Sequence, residues 1–365
     1  MNQKIEKLFQ GFITKNKLKF ITGIPDSTLT FLENLIKKTK ISHKVSVNEG
    51  NAIAMACGYY LKTKKIPIIY MQNSGLGNAI NPLTSLVNKE VYSIPMLILL
   101  GWRGCAGTQD EAQHKLMGKI TLKLLNLMNL NYTIINKDIT INKLNKIYLK
   151  ILKEKKPYFL VFKYNKKNKE KLKIKKNNCQ ILRYNFLNNL LRYTNNRNYK
   201  IFSTTGFTSR EVFKIINENK FKSKNFYMPG SMGHCFGLSS SFNFFSTKKE
   251  RVLCLDGDGS FLMHLGSLTS ILKKNSSFKY FLLNNLCHES VGNIQSSIQN
   301  IKIKEFSKSI NFDKYFKIKK MSDFDKIKNN LKTNKNIFFE ILIKNQTIRD
   351  LPRIKDFENI LKNFF

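Results

Sequence analysis

The chain has little acid: 24 Asp and Glu stand against 63 Lys and Arg, leaving a formal net charge of +39 over 365 residues. Such an excess invites a polyanion-binding reading. The basic residues are overwhelmingly lysine, however, and are scattered among Asn, Ile, Phe and Tyr along the whole chain, with no RNA- or DNA-binding motif and no basic recognition helix. Drift toward AT-rich codons produces this composition without selection for nucleic acid. Specific nucleic-acid binding therefore stands only as an alternative, and adventitious sticking to polyanions at low salt is expected. The six cysteines, at 57, 105, 179, 235, 254 and 287, contain no C-x-x-C pair and no zinc-type spacing. Their surroundings suit reduced thiols in a cytoplasmic enzyme rather than a disulfide framework. The amino terminus MNQKIEKLFQGF lacks the apolar core of a secretory signal. The most apolar run, SIPMLILLG, is far too short to cross a bilayer and reads as a buried strand, so a soluble protein is expected. No internal repeat is visible.

What the chain does have is concentrated in a few polar clusters. GDGS (Gly257 to Ser260) ends one apolar run, RVLCLDGDG, and NN (Asn284, Asn285) ends the next, KYFLLNN. Between them SFLMHLGSLTSILKK places Phe261, Leu262, Leu265, Leu268, Ile271 and Leu272 at helical spacing, which predicts one strand-helix-strand unit. Both clusters then fall at the carboxyl ends of parallel strands, where open α/β sheets bind ligands. Glycines there let a phosphate approach the backbone, and the following helix start offers free N–H groups, so Gly257, Gly259 and Ser260 form a candidate phosphate cradle. A hard cation bridging phosphate oxygens wants oxygen ligands, which the Asp258 carboxylate, the Asn285 amide and the Cys287 carbonyl can supply. A lone GDG is a common turn; the 27-residue spacing from Asp258 to Asn285, with one strand-helix-strand between, is not.

That spacing resembles the thiamine diphosphate signature of the decarboxylase and acetolactate synthase superfamily. Two upstream stretches fit the same resemblance. VNEGNAIAMACGYYLKT puts Glu49 at the start of a helix rich in small residues, where the resemblance implies a buried carboxyl group bonded to the pyrimidine ring of the cofactor. Burial would raise its pKa and suit it to proton exchange near neutrality. YMPGSMGHCFGLSSSF matches the stretch that supports the bent cofactor: Met232 as the wedge under its thiazolium, the Gly230 carbonyl accepting from its exocyclic amine, and Ser231 between them. The implied cofactors are thiamine diphosphate and Mg²⁺. The implied fold is α/β, with two doubly wound parallel-sheet domains, pyrimidine-binding then diphosphate-binding, and the length leaves no room for the middle domain of longer members. We expect these domains at 1–165 and 181–365, joined by a lysine-dense linker at 166–180. In the first, strand candidates are KFITG, KVSVN, IPIIYMQ, SIPMLILLG and PYFLVFKY. The resemblance also implies a homodimer at least, with Glu49 and Asp258 reaching one cofactor from different subunits.

The narrower resemblance is to the phosphonopyruvate decarboxylase family, with sulfopyruvate decarboxylase as near relative. GIPDS, VNEGNAIAMACGYYL, MQNSGLGNAINPLTSL, YSIPMLILLGWRG, DEAQHKLMGKIT, STTGFTSREVF, GSMGH, LDGDGSFLMHLGSL and NNLCHESVG follow the family's order through most of the chain. It implies decarboxylation of 3-phosphonopyruvate to phosphonoacetaldehyde, in phosphonate biosynthesis. For the anionic tail, strand-end loops offer Asp26 and Ser27, then Asn73, Ser74 and Gly75, then Arg103, whose guanidinium can meet a phosphonate with two hydrogen bonds. Among the histidines, His114 and His288 are candidate acid, base or substrate ligands, His114 being favoured. His234 could approach the cofactor, His264 reads as a packed helix residue and His43 as a surface position. One departure is Cys105-Ala106 after GWRG, where the family carries Glu-Pro. Sulfopyruvate decarboxylation and an inactive structural paralogue remain as alternatives; intact Glu49, Asp258 and Asn285 speak against the latter.

Overall fold

The computed structural model describes residues 2–136, 138–164, 177–247, 249–270, 277–289, 294–310 and 312–364. Most of the expected linker, 166–176, lies outside them. The chain divides into two compact units, Met1–Lys173 and Ile174–Phe365.

The first unit runs α1 (Asn2–Lys15), β1 (Phe20–Gly23), α2 (Leu32–Thr39), β2 (Ser42–Val45), α3 (Glu49–Thr63), β3 (Ile68–Gln72), α4 (Leu76–Ser85), β4 (Leu97–Trp102), α5 (Ala112–Leu127), β5 (Asn131–Ile135), α6 (Ile141–Glu154) and β6 (Tyr158–Lys163). Its six strands are all parallel, in the order β2-β1-β3-β4-β6-β5. The central β4 is buried along its whole length, as an apolar run between two helix layers must be. The amphipathic α6 shows how the layers close: Leu144, Ile147 and Ile151 face the core at helical spacing, and the Thr140 hydroxyl caps the first turn by accepting from Lys143 N.

The second unit runs α7 (Arg183–Thr194), β7 (Tyr199–Ser203), α8 (Phe207–Asn219), β8 (Lys224–Tyr227), α9 (Cys235–Phe245), β9 (Arg251–Gly257), α10 (Asp258–Met263), β10 (Lys279–Asn284), β11 (Cys287–His288), β12 (Ile294–Gln295), α11 (Ile303–Ser309), β13 (Lys314–Ile318), α12 (Phe324–Leu331), β14 (Ile337–Leu342) and α13 (Phe357–Phe364). Its main sheet, also all parallel, is ordered β13-β14-β10-β9-β7-β8; β11 and β12 form a separate antiparallel pair. The β9–β10 register pairs Gly257 with Leu283, so the next residues, Asp258 and then Asn284 and Asn285, leave adjacent strand ends on the same edge.

Three expectations need correction. The strand NYTII (β5) went unread because it is a short, half-exposed edge strand with no apolar run. The edge strand β2 lies at Ser42–Val45, beginning two residues before KVSVN and sharing Lys44 and Val45 with it, and alternates exposed and half-buried residues instead of being apolar. The long helix after GDG stops at Met263: His264 leaves the helical conformation, and Leu265–Ser270, with its Gly, Ser and Thr, continues as a 3₁₀ segment. Ile271 and Leu272 lie outside the described residues. Helices α2, α3, α6 and α8 all end on a lysine in the left-handed conformation, Lys40, Lys64, Lys155 and Lys220.

Candidate active site

In the first unit the carboxyl edge of the sheet gathers Asp26, Glu49, Asn73 and Arg103, following β1, β2, β3 and β4 respectively. Glu49 opens α3, whose N-cap is Asn48, accepting from Asn51 N at 2.8 Å. The Glu49 side chain is buried, and its Oε2 accepts from Asn78 Nδ2 at 2.8 Å. Burial raises its carboxyl above the ordinary range, with the Asn78 bond pulling the other way. Space for this carboxyl comes from Gly75: a Cβ there would stand 2.2 Å from Glu49 Oε1.

Asn73 is fully buried and spends its amide inside the fold. Its Nδ2 donates to the Arg103 carbonyl and to Thr121 Oγ1, both at 2.9 Å, while its Oδ1 accepts from Arg103 N at 3.1 Å. It therefore braces the ends of β3 and β4 together. Arg103 is also committed: Nε and one terminal nitrogen form a two-toothed bond with Asp110, Nη1 donates to Ser27 Oγ at 3.2 Å, and the guanidinium lies 4.2 Å from the Tyr164 ring centroid. Burial works against its charge, but Asp110, with Tyr164 and Asp26 adding to it, raises the Arg103 pKa. The edge expected to grip a phosphonate is thus occupied by Asp110, and Glu111 Oε1 lies 3.6 Å from the same Nη2. Ser74 is exposed, its hydroxyl accepting from Gln72 Nε2 at 2.7 Å.

Two buried polar atoms beside Arg103 have no hydrogen-bond partner among the described residues: Asp26 Oδ2 and His114 Nδ1. The other Asp26 oxygen accepts from Thr28 N at 3.1 Å. Burial pushes the Asp26 carboxyl up to about 6, against the pull of the Thr28 amide and the Arg103 charge. Burial, then Arg103, bring His114 down to about 4, so it is neutral at pH 7. His43, expected at the surface, instead packs half-buried on β2 with its Nε2 2.8 Å from the Tyr70 hydroxyl.

In the second unit Asp258 begins α10, where the free N–H groups of a helix start favour an acid. Its Oδ1 accepts from Gly259 N and its Oδ2 from Ser296 Oγ, both at 2.9 Å. Burial pushes this carboxyl up to about 7, and no basic side chain pairs with it among the described residues. Asn285 is buried one strand over; its Oδ1 accepts from Cys287 N at 3.2 Å, and its carbonyl accepts from Asn177 Nδ2 at 3.0 Å. Leu286 turns the chain between them at φ 65, a conformation glycine adopts at no steric cost.

The loop after β8 comes to the same edge. Ser231 and Gly233 have positive φ, and Gly233 N donates to Ser260 Oγ at 3.0 Å, whose oxygen also accepts from Thr204 Oγ1 at 3.0 Å. Gly230 and Met232 are half-buried in this loop. A Cβ on Gly259 would stand 2.9 Å from both Met232 Cε and His288 Cε1, so Gly259, Met232 and His288 adjoin one another. Gly257 closes β9 beside them with open space over its Cα. Burial holds His288 down at about 4. His234 lies on the exposed side of the loop, 4.4 Å between ring centroids from His264, whose Nε2 has no hydrogen-bond partner among the described residues.

The residues fit a diphosphate–cation group. Asp258, the Asn285 amide oxygen and the Cys287 carbonyl are a hard oxygen set, and the glycines at 257 and 259 keep the cradle free of side chains. Sequence reading missed Asp110, Asn78, Ser296 and Glu289, the partners that fix Arg103, Glu49, Asp258 and Asn285. Apart from Asp110 and Glu289, which are near neighbours in the chain, folding alone brings them there.

Comparison with known proteins shows the family. The family model described as thiamine pyrophosphate enzyme, N-terminal TPP binding domain, matches residues 3–123; the one described as thiamine pyrophosphate enzyme, C-terminal TPP binding domain, matches residues 203–333. The chain is 31% identical to a phosphonopyruvate decarboxylase of Streptomyces viridochromogenes over 74% of this chain and 71% of that protein. It is 37% identical to the sulfopyruvate decarboxylase subunit alpha of Methanococcus maripaludis over 33% of this chain and 70% of the subunit. To subunit beta of the same organism it is 32% identical, over 37% of this chain and 69% of the subunit. With two parallel α/β units matched by these two family models, the chain belongs to the thiamine diphosphate-dependent decarboxylases of the phosphonopyruvate and sulfopyruvate decarboxylase family, and is a 2-oxo acid carboxy-lyase.

Proposed function

We propose that this enzyme decarboxylates 3-phosphonopyruvate to phosphonoacetaldehyde, with Mg²⁺ anchoring the thiamine diphosphate. The observation that carries the substrate is the likeness to the Streptomyces phosphonopyruvate decarboxylase across most of both chains. In the reaction the bond between the carboxylate and the keto carbon breaks, carbon dioxide leaves, and the keto carbon gains a proton. When bound, thiamine diphosphate supplies the electron sink that holds the bonding pair released by that cleavage.

The chain's own residues do the rest. Asp258, Asn285 and the Cys287 carbonyl would hold Mg²⁺, and Gly257, Gly259 and Ser260 the diphosphate. Met232 would lie under the thiazolium, with Gly230 and Ser231 shaping the loop beside it. Glu49, its pKa raised by burial, holds a proton at the pyrimidine end. Asp26, raised by burial to about 6, carries a proton in an appreciable fraction of molecules near neutrality and has an oxygen, without a hydrogen-bond partner among the described residues, with which to deliver it; His114 and His288, held neutral by burial, present imidazoles that can donate a hydrogen bond without bringing a positive charge. Ser27, Ser74 and the remaining Arg103 N–H groups would meet the anionic tail, with Asn73 bracing the loop that holds Arg103. The two relatives named as alpha and beta subunits support an assembly of more than one chain, for which a homodimer is the simplest form.

Sulfopyruvate is the second reading, favoured by those same two relatives. The deciding measurement is carbon dioxide release from phosphonopyruvate, sulfopyruvate and pyruvate side by side, with purified protein, thiamine diphosphate and Mg²⁺. A kcat/KM at least tenfold higher for phosphonopyruvate is expected. The reverse order moves the chain to sulfopyruvate, and no turnover of any of the three sinks both.

A further inference from the structure

Asn285 is held from two directions. Asn177 Nδ2 donates to its carbonyl at 3.0 Å and to the Ile343 carbonyl at 3.0 Å, fixing the backbone at the end of β10. The side chain is fixed separately: Asn285 Nδ2 donates to Glu289 Oε2 at 3.1 Å. That same oxygen receives Arg183 Nη1 at 2.9 Å. Arg183 in turn closes its fork on Glu211, with both bonds at 3.0 Å, and donates to Thr347 Oγ1 at 3.1 Å. Arg183 is 4% exposed and Glu211 0%, while the Glu289 side chain is 6% exposed. One guanidinium thus meets two carboxylates, and the chain of contacts ends on the Asn285 amide.

We propose that Glu289, held in place by Arg183, is the positioning residue that keeps the Asn285 amide oxygen turned toward the metal–diphosphate site. This rests on the metal-site reading of Asp258 and Asn285. An amide can present either its oxygen or its NH₂ to a given neighbour, and a cation accepts only the oxygen. Glu289, as a carboxylate, can only accept, so it selects the NH₂ for itself and leaves Oδ1 on the opposite side. There Oδ1 takes one bond, from Cys287 N at 3.2 Å, with a second lone pair to spare. The second oxygen of Glu289 is buried with no hydrogen-bond partner among the described residues, so this carboxylate is not explained by saturating its own bonds. The Arg183 group also carries one more negative charge than positive, which favours a cation close by.

Binding of Mn²⁺ to the full chain in the presence of thiamine diphosphate, followed by the electron paramagnetic resonance of free Mn²⁺, tests this. Glu289→Met, which removes the acceptor, is expected to weaken Mn²⁺ about 10–100-fold, the range for groups that orient metal ligands. Glu289→Gln keeps an oxygen acceptor and should lose only a few-fold. In an Asn285→Asp background both ligand oxygens are equivalent and orientation is irrelevant. There Glu289→Met, or Glu289→Gln should the Met variant fold poorly, is expected to tighten Mn²⁺ by removing a like charge. Unchanged Mn²⁺ affinity in Glu289→Met, or an equal loss in both backgrounds, overturns the proposal. Failure of the underlying reading looks different: Asn285→Ala would then bind Mn²⁺ as the unmodified chain does.

Discussion

The two units repeat one topology with different chemistry at equivalent strand ends. Read from the β2 edge, the first sheet runs β2-β1-β3-β4-β6-β5; read from the β8 edge, the second runs β8-β7-β9-β10-β14-β13, the same order of crossovers. The residue that follows β3 is Asn73, an amide whose groups are all spent on neighbours. The one that follows β9 is Asp258, a buried carboxylate without a cationic partner among the described residues. Beyond β4 stands Arg103, neutralised by Asp110; beyond β10 stands Asn285, oriented by Glu289. The frame sets where ligands can go, and a handful of side chains at its edge decides what each half can hold.

The comparison breaks most sharply at Glu49, which has no acidic counterpart after β8, where the loop offers Gly230, Ser231 and Met232. Glu49→Gln is expected to lower kcat for decarboxylation by roughly 10²–10⁴-fold while thiamine diphosphate still binds, measured by single-turnover carbon dioxide release and calorimetric cofactor titration. Undiminished turnover would remove Glu49 from the chemistry. Exchanging the equivalent residues comes next. Asn73→Asp removes two donors and sets a carboxylate against the Arg103 carbonyl, at a cost of about 3 kcal/mol or more in urea denaturation. Asp258→Asn should do the opposite to the ligand-free protein, raising its denaturation midpoint, while abolishing Mn²⁺ binding.

A pH series sharpens the same contrast. Burial raises Asp258 to about 7 and Asp26 to about 6, above the ordinary carboxyl value of about 4. Between those values the folded state keeps protons that the unfolded chain has released. The contribution of these groups to stability is therefore complete below about pH 4 and lost as pH rises through 6 and 7. Thermal melts of the ligand-free chain minus those of Asp258→Asn should show that loss accumulating from about pH 4 and levelling off above about pH 7, and adding Mg²⁺ with thiamine diphosphate should flatten it. The smallest effect is expected at Leu286, whose φ of 65 stores strain between two candidate metal ligands. Leu286→Gly should gain about 1 kcal/mol in urea denaturation without weakening Mn²⁺.

Much of this was legible in the chain, for a physical reason. Motifs such as GDGS and NN are local: a strand end, a tight turn and a helix start lie within a few residues, so spacing alone placed Asp258 and Asn285 on adjacent strand ends. Glu49 at a helix start was readable in the same way. The edge strand β5 was not, since it is half-exposed and lacks the apolar run that marks a buried strand, and the half-exposed β2 was legible only to within two residues. Nor was the state of Arg103. The sequence shows a cation at a strand end; only the fold shows Asp110 already holding the edge that a phosphonate would use. Partners such as Asn78 and Ser296 lie 29 and 38 positions from the groups they fix, beyond any local pattern.

The lysines that end α2, α3, α6 and α8 in the left-handed conformation bear on how this fold tolerates its own composition. A side chain in that conformation costs roughly 1–2 kcal/mol against glycine. An ammonium beside the negative end of a helix returns typically 0.3–1 kcal/mol of it. Helix ends are thus among the cheapest places for lysine in a chain of 63 basic residues, whereas at Gly75 any side chain would collide with the Glu49 carboxyl group.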